Sequence, residues 1–286
     1  MDWKRKDQSD EMYRKENNGV SYWVFRNLEE SGIVRHGFST RMGGVSDGYL
    51  GTMNLSFTRG DDPACVRENF RRMGEAIGFR TEDLVLSDQT HTTNVRLVTE
   101  EDRGKGFTRE LDYRDVDGLI TDTPGLMLAT FYADCVPLYF VDPVHRAIGL
   151  SHSGWKGTVH RMGKVTLEKM KEAFGTRPEE VLAAIGPSIC QDCYEVSEDV
   201  AQAFMDEFSE DLDERLVYQR ENGKYQLNLW RANELILLRA GILTEHLTVT
   251  NVCTCCNPTL MFSHRASHGK RGNLGAFLGL KESFVK

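Results

Sequence analysis

The sequence predicts a mixed α/β fold, and three observations support this class. Short apolar runs rich in β-branched and aromatic residues alternate with segments of helical periodicity. Several of these runs are almost continuously apolar, which is typical of strands buried on both faces. No internal repeat, long linker or low-complexity block divides the 286 residues. We therefore predict one compact domain over residues 19–286, with mixed β-sheets flanked by helices, after a polar and aperiodic flexible tail over residues 1–18.

The first elements of the domain are two strands and a helix. Apolar, extended-looking runs predict strands over residues 21–28 and 33–38. The second strand leads into residues 39–48, whose glycines and small hydroxyl residues predict a loop that can approach a ligand. A helix is predicted over residues 62–78, because an Asp-Pro pair opens it, apolar residues follow at helical spacing and a glycine ends it.

The centre of the chain is rich in strand signals. Turns of the Asp-Thr-Pro-Gly and Asp-Pro type separate four apolar runs. The predicted strands are 116–121, 126–132, 136–141 and 147–151. A helix is predicted over 157–174 from its apolar stripe. The remaining predicted elements are strands at 181–185 and 247–252, a helix that begins after Ser197, and a helix over 229–239.

Composition limits the classes of function. The chain has 35 Lys and Arg residues against 43 Asp and Glu residues, a formal net charge of −8. Such a protein has no general attraction for nucleic acids or anionic membranes, so an anionic substrate needs a local cluster of cations. No apolar run approaches the roughly 18 residues of a membrane span, and the N-terminus lacks the apolar core of a signal peptide. We expect a cytoplasmic protein that binds neither nucleic acid nor membrane.

Three candidate metal ligands stand at predicted strand ends, namely His91, Cys135 and His152. Two imidazoles and one thiolate suit Zn²⁺, and three protein ligands leave a fourth position open for water or substrate. Cys135 and His152 lie at the ends of consecutive strands, and such strands often pair. His91 has no comparable signal that brings it close. Two other interpretations stay open: Cys135 as a metal-free nucleophile with a histidine base, and ordinary buried side chains with structural hydrogen bonds.

Candidate anion-binding groups lie near the third ligand. A helix is predicted to begin close to Gly154, and free backbone N–H groups at such a start can bind an anion. Lys156 adds a positive charge there, and Arg41 in the glycine-rich loop offers a planar donor that matches phosphate. Each of these cations could equally be a solvated surface residue.

The other cysteines form two groups, Cys190 with Cys193 and Cys253 with Cys255 and Cys256. An odd total of seven cysteines in a chain expected to be cytoplasmic favours free thiols or metal ligation over disulfides. The two groups are far apart in the chain, and adjacent cysteines in an extended segment point to opposite faces. The sequence therefore favours single buried thiols over a structural zinc site.

Taken together, these residues resemble the YfiH-type family, long labelled a multicopper polyphenol oxidase or laccase-like domain family. The resemblance covers nearly all of the chain beyond the tail. It combines an ADC-x-P motif with an HxGW[RK]G motif, which is a specific pair. The matching stretches are HGFSTRMGGVS, MNLSF, DDPACVRENFRRM, DQTH, VDGLITDTPG, ADCVPLYFVDP, HSGWKGT, IGPSICQDCYEV and VCT.

The resemblance implies a function and a set of site residues. It implies that His91, Cys135 and His152 bind a metal, and that the activity is phosphorolysis of purine nucleosides to a base and ribose 1-phosphate. The implied substrates are adenosine, inosine, guanosine and methylthioadenosine, with inorganic phosphate, and adenosine deamination accompanies the main reaction. The implied fold is a compact α/β domain unrelated to blue-copper oxidases. We therefore expect a zinc-dependent purine nucleoside phosphorylase with these three residues at its catalytic centre.

The sequence departs from the family pattern at three places, and three alternatives remain. Lys156 replaces an arginine, Thr92 replaces a glycine, and Ala266 replaces the second arginine of a family SYRRD motif. These changes affect the expected substrate preference more than the reaction class. The alternatives are a copper-dependent polyphenol oxidase, which needs many more histidines than the eight present, a metal-free Cys/His hydrolase, and a non-catalytic binding module.

Overall fold

The computed structural model describes residues 3–282 and confirms the mixed α/β class. The strands are β1 (Met12–Asn17), β2 (Val20–Phe25), β3 (Val34–Ser39), β4 (Leu84–Leu86), β5 (Val95–Leu97), β6 (Gly118–Thr121), β7 (Met127–Tyr132), β8 (Val136–Asp142), β9 (Ala147–Ser153), β10 (Leu182–Ile185), β11 (Glu195–Val196), β12 (Val217–Gln219), β13 (Tyr225–Leu227), β14 (Leu247–Val249) and β15 (Leu274–Leu280). The helices are α1 (Arg26–Glu30), α2 (Pro63–Ile77), α3 (Trp155–Val159), α4 (Met162–Phe174), α5 (Glu198–Glu207) and α6 (Leu229–Arg239).

Two six-stranded sheets form the centre of the described chain. The first sheet has the order β1-β2-β3-β15-β7-β4, and the second has the order β14-β10-β8-β9-β6-β5. Both are mixed, because β4 pairs parallel with β7 and β5 pairs parallel with β6, while most other pairs are antiparallel. A small third sheet has the order β11-β13-β12. The chain passes from the first sheet to the second between β7 and β8, where Cys135 lies.

The two large sheets pack face to face, and side-chain alternation explains how. Trp23 and Phe25 of β2 belong to the same buried cluster as Tyr139 of β8, whereas Tyr22 and Val24 point to the opposite face. Successive side chains of a strand point to opposite faces, so each sheet buries both of its sides. Because both sides of each sheet are buried, the strand sequences are almost continuously apolar.

Helices cover the outer faces of both sheets. Phe70 of α2 packs against Phe277 of β15, with ring centroids 6.2 Å apart. On the second sheet, α4 lies so close to β9 that a Cβ on Gly149 would come within 3.0 Å of Met170 Sδ. Helix α2 begins at Pro63 and ends at Gly78, whose φ of 95° is in the left-handed region, as its sequence predicts.

The prediction of a flexible tail over residues 1–18 is wrong for the part that is described, residues 3–18. Met12–Asn17 forms β1, which pairs antiparallel with β2. The preceding residues also dock, because Lys6 N–H donates to the Asn251 carbonyl and the Asn257 amide donates to the Lys4 carbonyl. These partners lie at the other end of the chain, so a local polar pattern could not reveal them.

Several predicted elements have different bounds from those expected. The strand predicted over 21–28 ends at Phe25, where α1 begins. The helix predicted over 157–174 is two helices, because Arg161 adopts a φ of 56° between α3 and α4. Neither glycine nor proline marks that break, so the sequence carries no signal for it. Within residues 3–282, the helices are all too short or too polar to cross a membrane.

Candidate metal centre and cavity

The fold brings the three predicted ligands to one place. His91 lies in the loop between β4 and β5, Cys135 in the turn between β7 and β8, and His152 near the end of β9. One potential ligand atom from each lies within 4.8 Å of those of the other two. Cys135 Sγ is 3.9 Å from His91 Nε2. The two imidazole rings meet edge to face, with centroids 4.9 Å apart.

Asp117 holds two of these ligands in position. Its buried carboxylate accepts N–H bonds from Thr90, His91 and Thr92, at 2.9 to 3.1 Å. Its Oδ1 lies 2.8 Å from Nδ1 of His152. Burial alone would raise the pKa of Asp117, but the bond to His152 and the backbone donors outweigh it and lower the pKa to about 2. An ionised carboxylate accepts a hydrogen bond from the Nδ1–H of His152, so the proton of the neutral ring lies on Nδ1 and the Nε2 lone pair can bind a metal.

The loops that carry His91 and Cys135 have unusual backbone geometry. His91 has a φ of 66°, and Asp134, just before Cys135, has a φ of 91°. The left-handed region is costly for residues with a Cβ, and it persists only where the surroundings impose it. At Asp134 they do, because its carboxylate accepts the Thr254 hydroxyl at 2.7 Å and the Arg265 N–H at 2.7 Å.

Cys135 and His152 form an ionisable pair. Burial would raise the pKa of the Cys135 thiol, but His152 and His91 outweigh it and lower that pKa to about 6. Burial would lower the pKa of His152, but Cys135 and Asp117 raise it to about 9. Without a metal, both directions describe a thiolate beside an imidazolium, and a bound metal would take the place of the Nε2 proton of His152. A thiolate is the form of cysteine that binds metals, so the donor set fits a borderline divalent cation such as Zn²⁺.

A cavity of about 370 Å³ opens beside these ligands. That volume falls within the range of small-molecule sites. Phe131, Leu111 and Leu86 give it an apolar side, and Ser56, Asp88 and other polar residues line the rest. The cavity therefore offers an apolar surface for a flat ring and polar groups for a hydroxylated ligand, next to the metal ligands.

Two arginines line the same cavity, Arg59 and Arg271. The Nε of Arg271 is buried and has no hydrogen-bond partner within residues 3–282. Burial, followed by the charge of Arg59, lowers the pKa of Arg271 to about 10. Asp88 is the one carboxylate in the lining of this cavity, so the two guanidinium groups leave an excess of positive charge that favours an anionic ligand.

Of the three predicted anion-binding residues, only Gly154 lies close to the candidate metal ligands. Gly154 lies against two of the candidate metal ligands, since a Cβ there would be 2.9 Å from His91 Cδ2 and 3.2 Å from Cys135 Sγ. Arg41 does not line the cavity. Its guanidinium donates to the carbonyls of Gly51 and Pro258 and lies over the Phe262 ring. Lys156 is exposed on α3 and also lies outside the cavity lining.

Sequence reasoning missed Asp117, Arg59 and Arg271. A signal for Asp117 did exist, because a carboxylate inside the buried run Val116–Thr121 must have partners. The two arginines had no such signal, since they belong to polar loops far apart in the chain.

The prediction of single buried thiols in the two cysteine groups is also wrong. Cys190, Cys193, Cys253 and Cys256 come together, with their four Sγ atoms all within 4.8 Å of one another. The backbone between Cys253 and Cys256 turns instead of running extended, so the argument from opposite faces does not apply there.

The chain is similar to known proteins over most of its length. A family model described as multi-copper polyphenol oxidoreductase laccase matches residues 35–281. A purine nucleoside phosphorylase, YlmD of Bacillus subtilis, is 36% identical over 267 residues, which is 92% of this chain and 94% of that protein. A protein named adenosine deaminase RL5, from an unknown prokaryotic organism, is 34% identical over 231 residues, 80% of this chain and 87% of that protein.

A solved structure agrees with these matches. The crystal structure of the Bacillus licheniformis hypothetical protein YfiH superposes with a TM-score of 0.87 at 31% sequence identity, and the match covers 94% of this chain and 99% of that one. Fold, sequence identity and family model therefore coincide along the chain, as its motifs predict. The chain belongs to the laccase-like family of multi-copper polyphenol oxidoreductase domains that includes YfiH and YlmD.

Proposed function

We propose that this protein is a zinc-dependent purine nucleoside phosphorylase with adenosine deaminase activity, acting in the cytoplasm through one catalytic domain. The observation that carries the proposal is the cavity that joins the ligand set His91, Cys135 and His152 to the guanidinium groups of Arg59 and Arg271. The names of YlmD and RL5 support the two activities. The substrates would be adenosine, inosine, guanosine or methylthioadenosine, with inorganic phosphate.

Phosphorolysis requires the cavity to hold an anion close to the sugar. A phosphate oxygen forms a bond to C1′ while the bond from C1′ to the base nitrogen breaks, and the base leaves with that electron pair. Positive charge builds on the sugar in between, so an anion fixed below the ring stabilises the transition state. In our proposal Arg271 and Arg59 hold the phosphate through charge-assisted hydrogen bonds, and Phe131 offers its ring to the purine.

The metal ligands would serve the departing base and the deamination. His91 Nε2, Cys135 Sγ and His152 Nε2 would hold the zinc ion, which would supply Lewis acidity at the edge of the cavity. Asp117 keeps the proton of His152 on Nδ1, so that Nε2 stays available. Gly154 lets the chain pass beside His91 and Cys135 without a side chain in the way.

The roles predicted for Arg41, Gly154 and Lys156 in phosphate binding stay predictions. Gly154 adjoins the ligands, and its backbone could contact a substrate oxygen. Arg41 and Lys156 stand outside the cavity lining, so Arg59 and Arg271 are the stronger candidates on geometry.

One observation favours a second candidate, a metal-free hydrolase with Cys135 as nucleophile. A thiolate paired with the imidazolium of His152 is an activated nucleophile in other enzymes. Complete chelation distinguishes the two, because it abolishes a zinc-dependent reaction and leaves a thiolate reaction intact.

The test of the proposed function is product identification. The protein is incubated with adenosine, with and without inorganic phosphate, and the products are separated by chromatography. We expect adenine and ribose 1-phosphate only when phosphate is present. Inosine should form by deamination in both cases, and hypoxanthine should form from it only when phosphate is present. Free ribose would indicate a hydrolase, and the absence of ribose 1-phosphate at saturating phosphate with zinc bound would refute the phosphorylase assignment.

A further inference from the structure

Four thiols gather away from the cavity, where two turns of the chain meet. Cys190 and Cys193 belong to one turn, Cys253 and Cys256 to the other, and each turn has a Cys-x-x-Cys spacing. Two such pairs are the usual ligand pattern of a structural zinc site.

The distances between the sulfur atoms fit a single metal. Cys256 Sγ lies 3.5 Å from Cys193 Sγ and 3.9 Å from Cys190 Sγ. Tetrahedral zinc with Zn–S bonds of about 2.3 Å places its sulfurs about 3.8 Å apart. A disulfide would need about 2.05 Å, and all seven cysteines are free in this structure.

Backbone donors already point at one of the sulfurs. The N–H groups of Cys190 and Cys256 both donate to Cys253 Sγ, at 3.2 and 3.4 Å. Such bonds orient the sulfur as outer-shell contacts do in metal sites. Cys190 and Cys253 are also buried, with 3% and 0% of their surface exposed, so water competes little for the site.

We propose that Cys190, Cys193, Cys253 and Cys256 bind a second zinc ion, in a closed four-thiolate site that is structural. A complete set of four protein ligands leaves no position for substrate, in contrast to the three-ligand set beside the cavity. Lys6, which pairs with Asp192 at 2.7 Å, lies near Cys190 and Cys256. The proposal does not depend on the reaction that the cavity catalyses.

The site would support the turn that carries Cys135. Ile189, next to Cys190, donates its N–H to the carbonyl of Asp134 at 3.0 Å. Thr254, between Cys253 and Cys256, donates its hydroxyl to the Asp134 carboxylate. Each Cys-x-x-Cys turn thus holds the strained residue that precedes Cys135, and a metal that joins the two turns fixes both contacts.

Metal content tests this proposal. The full-length protein is purified in reducing buffer without chelator, and zinc is counted by mass spectrometry. We expect two zinc ions per chain in the wild-type protein. Cys256→Ser and Cys135→Ala should each retain one. Cys255→Ser is the matched control, because Cys255 is adjacent in sequence and lies outside the four-thiol group. It should keep two zinc ions.

Three results would overturn the proposal. The first is no more than one zinc per chain in the wild-type protein, with that ion lost in Cys135→Ala and kept in Cys256→Ser. The second is loss of zinc from Cys255→Ser but not from Cys256→Ser, which would assign a different ligand set. Disulfides within the four cysteines of freshly reduced, folded protein would also contradict it.

A spectroscopic readout covers the case in which Cys256→Ser does not fold. Cobalt replaces zinc in Cys135→Ala, which keeps all four proposed ligands. Thiolate-to-cobalt charge transfer absorbs in the near ultraviolet and increases with the number of thiolates. We expect one cobalt per chain with the intensity of a four-thiolate site, and absence of this band would refute the proposal.

Discussion

Nδ1 of His152 lies 2.8 Å from Oδ1 of Asp117, and both side chains are almost completely buried. The same carboxylate accepts the backbone N–H of His91. One acidic side chain therefore positions two of the three ligands, although it lies far from both in sequence. A carboxylate behind a metal-binding histidine fixes its tautomer and raises its basicity.

Replacement of Asp117 should weaken metal binding. In Asp117→Asn the neutral amide has one acceptor oxygen where the carboxylate has two. It cannot accept all four hydrogen bonds, so the 90–92 loop and the His152 ring lose their orientation. We expect zinc affinity at the His91, Cys135 and His152 site to fall about 10- to 100-fold, as for other outer-shell substitutions. Competition with a chromophoric chelator measures it. Asp122→Asn, an exposed position just after β6, is the control, and an equal loss in both would refute the role of Asp117.

Gly154→Ala should disturb the ligands by a direct steric effect. The backbone at Gly154 has a φ of −75°, which alanine accepts, but the new Cβ would be 2.9 Å from His91 Cδ2. We expect at least tenfold weaker zinc binding with an unchanged far-ultraviolet circular dichroism spectrum. Gly157→Ala is the matched control, because its Cβ would meet nothing closer than 3.6 Å. Full metal affinity in Gly154→Ala would show that the ligands can move aside.

Arg271→Gln should affect phosphorolysis through phosphate. Loss of one charged donor to the anion is expected to lower kcat/KM for phosphate by about a hundredfold. Deamination uses no phosphate and should change much less. Arg41→Gln is the comparison, since Arg41 bonds to backbone carbonyls outside the cavity lining. A larger loss in Arg41→Gln than in Arg271→Gln would restore Arg41 as the phosphate ligand.

His36 should make folding stability depend on pH. Its buried ring accepts the Phe25 N–H at Nε2, and burial lowers its pKa from 6.5 to about 3. His36 therefore binds a proton below about pH 6.5 in the unfolded chain, but only below about pH 3 in the folded protein. Stability from this group is complete above pH 6.5 and falls by up to about 1.4 kcal/mol per pH unit as the pH drops through that window.

Urea denaturation at several pH values between 7 and 4.5 measures this effect. We expect His36→Gln to lose less stability than the wild-type protein over that interval, because it has removed the titrating group. His160→Gln, at an exposed position after α3, should follow the wild-type curve. Parallel curves for all three proteins would mean that His36 does not titrate differently in the two states.

The sequence predicted part of the site because the relevant contacts are local. Apolar runs separated by an Asp-Pro turn predict an antiparallel pair, and β8 and β9 do pair, with Pro137 opposite His152. Cys135 lies just before that strand pair, so its closeness to His152 follows from the hairpin. Likewise, the Asp-Pro opening and the glycine end of α2 are local signals, and the structure has the helix in that place.

The amino-acid sequence alone determined the α/β class, most strand and helix positions and the pairing of Cys135 with His152. Only the tertiary structure decided that His91 joins them through Asp117, that Arg59 and Arg271 share the cavity, and that residues 3–17 pack on the domain. It also decided that four cysteines from two distant turns meet. The physical reason is that each of these depends on contacts between segments far apart in the chain, which form only once the two sheets have packed and their loops have closed.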